Sequence, residues 1–185
     1  MVDRLEAARN DIPPGLAIQV GSAGTHAEQG EAMCPLGAAI LELDPREHEA
    51  RLLTEDLLVA ADLIVTADRM NRAGCARLAP ACRPRLFTWT QAVVLAEQVV
   101  RQVSDGSAPE GAPPVPDDPN DRLRWLVDEM DASRGTLAGW SEEDLDITDV
   151  HHVDDHSATL QPVVDAANHL TTALIALGSM DISEL

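Results

Sequence analysis

The spacing of apolar residues changes several times along this chain, and each change marks an element. "VDRLEAAR" places Val2, Leu5 and Ala8 at helical spacing, and "DIPPG" then ends the helix with two prolines and a glycine. "LAIQV" reads as a strand, and residues 35–43, "PLGAAILEL", as a helix. In "LLTEDLLVAADLIVTADRM", Thr54 is suited to cap a helix that runs to about Ala61. "LIVT" follows as an unbroken apolar run, the pattern of a strand buried on both faces in a parallel sheet. A helix near "MNRAGCARL", a strand at "RLFTW" and a helix over residues 90–101 continue the alternation, which predicts an α/β fold with a doubly wound parallel sheet.

Residues 104–119, "SDGSAPEGAPPVPDDP", break the pattern with Pro, Gly, Ser and Asp, the composition of a linker or long surface loop. "NDRLRWLVDEMDASRG" resumes as a helix capped by Asn120 and closed by Gly135, and "ATLQPVVDAANHLTTALIAL" makes a last amphipathic helix. The chain therefore reads as a single domain over residues 1–185, in which residues 104–141 form a linker plus an extra helix.

Composition narrows the function classes. The formal net charge of −19 leaves no basic footprint for nucleic acid or for an anionic membrane surface, so neither is expected as a partner. No apolar run approaches the roughly 20 residues of a membrane span, and the acidic, amphipathic start is unlike a signal peptide, which predicts a cytoplasmic protein. Three cysteines, Cys34, Cys75 and Cys82, fit reduced thiols better than a disulfide framework.

Two motifs in order carry a resemblance. "SAGT" after a predicted strand, followed by "HEARLLTEDLLVAADLIVTADR", resembles the low-molecular-weight protein tyrosine phosphatase family over residues 20–90, and "FTWTQAVVLAEQ" and "DLDITDVHH" resemble later parts of its bacterial members. The resemblance implies phosphate-monoester hydrolysis on a phosphotyrosine protein or a small phosphate monoester, with no cofactor. In that chemistry a Cys thiolate attacks phosphorus inside a C-x5-R loop at a helix N-terminus, and an Asp protonates the leaving group. Asp149 falls at the general-acid position, with Val150 where the family has proline. Ser22 and His48 match positions that support the phosphate loop by hydrogen bonds.

The nucleophile loop itself is missing. Six positions after Cys34, Cys75 and Cys82 stand Ile40, Ala81 and Thr88, so no cysteine opens C-x5-R. The opening "MVDRLEAAR" resembles the helix that follows the loop in the family, which places the expected first strand and loop just upstream of Met1. The 185 residues are accordingly expected to be inactive as a phosphatase. The competing reading is a pseudophosphatase, a non-catalytic relative that binds a protein partner.

Other residues add less. Asp146 competes with Asp149 within the acidic "SEEDLDITD". "HHVDDH" spaces His152 and His156 four apart beside Asp154 and Asp155, but without a second ligand cluster it reads as an exposed helix start, and no metal is expected. Arsenate reductases, related to the phosphatases, relay a disulfide after the third strand, but Asp68 stands where the first relay cysteine would fall. Cys75 and Cys82 are therefore read as idle thiols, and Trp89, Trp125 and Trp140 as packing residues.

Overall fold

The apolar run at residues 63–66 forms a strand because a partner of the same kind lies beside it. In the computed structural model, which describes residues 15–107, 111–141, 143–147 and 156–181, β1 (Ile64–Thr66) pairs in parallel with β2 (Leu86–Thr88). The register sets Ile64 against Leu86, Val65 against Phe87 and Thr66 against Thr88. Successive side chains point to opposite faces. Phe87 and Val65 enter one apolar cluster, while Leu86 and Ile64 enter another, so both faces of the two strands are covered.

The helices that cover them follow the expected punctuation. Helix α1 spans Pro35–Ile40 and α2 spans Glu55–Ala60, the latter capped by the Thr54 hydroxyl, which accepts from the Leu57 amide. Helix α3 (Arg69–Leu78) leaves β1 with Asp68 as its cap, and α4 (Trp89–Ser104) leaves β2 with Thr88 and Gln91 in a reciprocal capping box. Helices α5 (Pro119–Ala132) and α6 (His156–Ser179) complete the main core. There Phe87, Leu95, Val99, Trp125, Leu126, Met130 and Leu177 pack together. The smaller cluster, Leu58, Cys75, Ala79, Cys82 and Leu86, lies toward α2 and α3.

Several expectations are corrected. "LAIQV" is not a strand: Asn120 clamps its start, accepting from the Ala17 amide at 2.9 Å and donating to the carbonyl of the preceding Gly15 at 2.9 Å. Among the described residues no neighbouring strand pairs with it, and Leu16 instead packs so closely on α6 that a Cβ at Gly178 would lie 2.9 Å from it. The cap of α5 is Asp118, which accepts from the Asn120 and Asp121 amides. The helix gives way at Ser133 to a 3-10 turn through Leu137 and is not closed at Gly135. Helix α1 ends earlier than expected, at Ile40, because Glu42 adopts a left-handed backbone (φ 57°) and Leu43 N returns to Ala38 O, a Schellman closure. Trp140 is exposed, unlike Trp89 and Trp125, which reach the core.

The fold is thus a mixture of helix and parallel strand, and the described residues contain one two-stranded sheet. The predicted helix over residues 2–8 lies outside the described residues. No described helix is long and apolar enough to cross a membrane.

Candidate functional site

The "SAGT" turn and the "HEARLLT" stretch, 29 residues apart at Ser22 and Arg51, meet in the fold. Gly24 N donates to Arg51 O at 3.0 Å, and Leu53 N donates back to Gly24 O at 2.9 Å, an isolated parallel bridge. The Arg51 guanidinium closes the turn by donating from Nε to the Ser22 carbonyl. A Cβ at Gly21 would meet the end of the Arg51 side chain, which would have to swing aside. A second pair of backbone bonds, Gly30 N to Ala50 O and Ala50 N to Glu31 O, holds the return of the chain.

From the turn the network runs to the C-terminal end of β1. The Thr25 hydroxyl donates to Asn71 Oδ1 at 2.9 Å, and Asn71 in turn donates from its amide and side chain to the Asp68 carboxylate that caps α3. One residue later, Arg69 holds Asp146 with its backbone amide (2.9 Å) and Nε (3.0 Å). Ile147 N donates to Ala67 O, so the "DLDI" segment is tied beside the strand end. Three separate stretches of chain therefore converge where β1 turns into α3, the edge at which parallel α/β sheets place ligands.

Two further arginines lie near this edge and along β2. Arg72, one turn beyond Arg69, donates from Nη1 to Gln91 Oε1 at 3.1 Å. Arg134 lies 3.9 Å over the Phe87 ring and gives Nη2 to the Leu86 carbonyl at 2.9 Å. Burial first, then the charges of Arg134 and Arg69, hold the Arg72 pKa below the usual arginine value, while Asp146 opposes the shift.

The predicted site residues fare unequally. Ser22 is exposed, and its part in the turn is played by its backbone carbonyl. His48 is half-buried, and among the described residues its ring has no hydrogen-bond partner, Ser22 included. Asp149 lies outside the described residues, as do His152, Asp154 and Asp155. Asp146, the acidic competitor, is committed to Arg69. Arg51, Asn71, Arg69 and Arg72 were missed as site residues. The signals for them were the arginine inside "HEARLLT" and the i, i+3 pair in "DRMNR", which places two guanidiniums on one helix face.

The thiols are not poised for attack. Burial pushes the pKa of Cys75 up, with Cys82 adding to the effect, and burial raises Cys82 likewise, so both rest as neutral thiols. All three cysteines are free, and among the described residues no group of three or more His, Cys, Asp or Glu side chains could hold a metal ion. Comparisons with protein-family models, with curated proteins and with solved structures find no match to this chain.

Proposed function

We propose that this chain is a low-molecular-weight tyrosine phosphatase-like protein, built for phosphate-monoester chemistry on a phosphotyrosine protein or a small phosphate monoester in the cytoplasm. One observation carries the reading: the "SAGT" turn and "HEARLLT" lie far apart in sequence yet are hydrogen-bonded to each other, and Thr25 links them to the C-terminal end of a parallel strand. Such a brace is useful where a backbone loop must keep its N–H donors aimed at an anion. The free edge of β1 supports the reading too. Among the described residues only β2 pairs with this strand, although its apolar run reads as central, and unpaired backbone groups there are costly. A further strand on that side would extend the sheet toward the doubly wound form and could deliver a C-x5-R loop beside Ser22 and His48. Asp149 would then serve as general acid.

Because no C-x5-R is present in the 185 residues, they are proposed to be catalytically silent. The second reading, a pseudophosphatase that binds a protein partner, is favoured by Val150 in the place of proline. Hydrolysis of p-nitrophenyl phosphate tests both. The 185-residue chain is compared with a form extended at its N-terminus by the in-frame upstream sequence. Turnover confined to the longer form and lost in Asp149→Asn is the expected result. Silence in both forms moves the reading to the binding protein, and Asp149-dependent turnover by the shorter form overturns the proposed nucleophile loop.

A further inference from the structure

We propose that the two-donor edge of Arg72, formed by Nε and Nη2, is a binding site for a phosphate-type oxyanion at the junction of β2 and α4. The side chain is held from behind. Gln91, only 8% exposed, accepts from Arg72 Nη1 at 3.1 Å and from the Thr88 amide at 3.1 Å through the same oxygen, so the capping box of α4 also fixes the guanidinium. Nε and Nη2 then have no partner among the described residues, and neither is sealed away from solvent. That pair of parallel N–H groups is the part of arginine that grips two oxygens of one anion.

Among the described residues, Arg72 is the cation of this group that no carboxylate pairs directly, although the charge of Asp146 reaches it. Arg69 stands one turn earlier on the same helix face and is paired with Asp146, and Arg134 is paired with Asp131. Asp68, the cap of the same helix, is taken up by Asn71. Arg72 is half-buried, feels the charges of Arg134 and Arg69, and among the described residues has no carboxylate bonded to it, in a chain that carries 32 Asp and Glu against 13 Arg. A partly desolvated cation beside like charges gains from a counter-ion. A tetrahedral dianion supplies enough oxygens to meet the free edge of Arg72 and the field of Arg69 and Arg134 together.

This site is made wholly of residues in the 185-residue chain and does not rest on the phosphatase reading. Isothermal titration of inorganic phosphate into that chain at low salt is expected to show saturable binding of one ion per chain. Affinity should fall by about tenfold or more in Arg72→Leu, which removes both donors, and severalfold in Arg72→Lys, which keeps the charge without the fork. Arg101→Leu, an exposed arginine elsewhere on α4, controls for net charge and should bind as the intact chain does. If Arg72→Leu does not fold, the lysine variant decides. No saturable binding by the intact chain, undiminished binding in Arg72→Lys, or equal weakening in Arg101→Leu overturns the proposal. A parallel titration with phenyl phosphate names the source: equal affinity upholds a site for free phosphate, and tighter binding upholds one for a phosphate monoester.

Discussion

Residues 64–104 and residues 15–53 are both rich in apolar side chains, yet only the first stretch turns them into a core. In the first, Phe87, Leu95, Ala96 and Val99 are fully buried. In the second, only Leu16, Gly37 and Ala38 are buried among the described residues, while Leu36 and Leu52 are 62% and 49% exposed. The difference lies in what each stretch packs against. Strands β1 and β2 have each other for hydrogen bonds and a cluster on each face, whereas the 15–53 stretch is held among the described residues chiefly by two isolated bridges and by side-chain bonds to Asn120 and Asn71. An apolar pattern states a capacity to be buried, and tertiary partners decide whether it is used.

The sharpest way to break the comparison is to cut one side chain from each stretch. Leu95→Ala leaves a cavity among fully buried neighbours and should cost about 2–5 kcal/mol in urea unfolding. Ile18→Ala, in the irregular segment, should cost less than about 1 kcal/mol. Equal losses would mean that residues 15–20 are as tightly integrated as α4, and the contrast between the two stretches would fail.

The well-packed half also has a flaw that pH exposes. Glu129 on α5 is only 6% exposed, and burial, followed by the charge of Asp128, raises its carboxyl pKa above the ordinary 4.5. The folded state therefore holds the proton more tightly than the unfolded state does. The benefit is complete below the ordinary glutamate value and is lost as pH rises through the raised one. Glu129→Gln should accordingly be more stable than the parent at pH 7.5 and should lose that advantage at pH 4. A gain of the same size at both pH values would show that something other than the buried charge is responsible.

The elements that sequence pattern revealed are those whose signals are local. Thr54, Asp68 and Thr88 cap helices through their own side chains, and "LIVT" and "RLFTW" announce strands by composition. "LAIQV" misled because alternation cannot show whether a neighbouring strand exists, and Asn120, 103 residues away from Ala17, is invisible to any local window. The candidate site divides in the same way. The motifs identified the turn at Ser22 and the "HEARLLT" stretch, but the groups that join them are the Arg51 guanidinium and backbone amides, which no residue-type pattern distinguishes from solvated ones. Arg72 stood out only once its partner Gln91 had been placed by β2 and α4.

The smallest expected effect sharpens the comparison within the 15–53 stretch itself. If the turn is held by backbone atoms, the hydroxyl of Ser22 matters little: it is exposed, and among the described residues it makes no hydrogen bond. Ser22→Ala should then change stability by no more than about 0.5 kcal/mol. Arg51→Ala removes the donor to the Ser22 carbonyl and should cost about 1 kcal/mol, with faster amide exchange at Gly24 and Leu53, whose bonds flank it. The reverse ranking would assign the brace to the serine side chain.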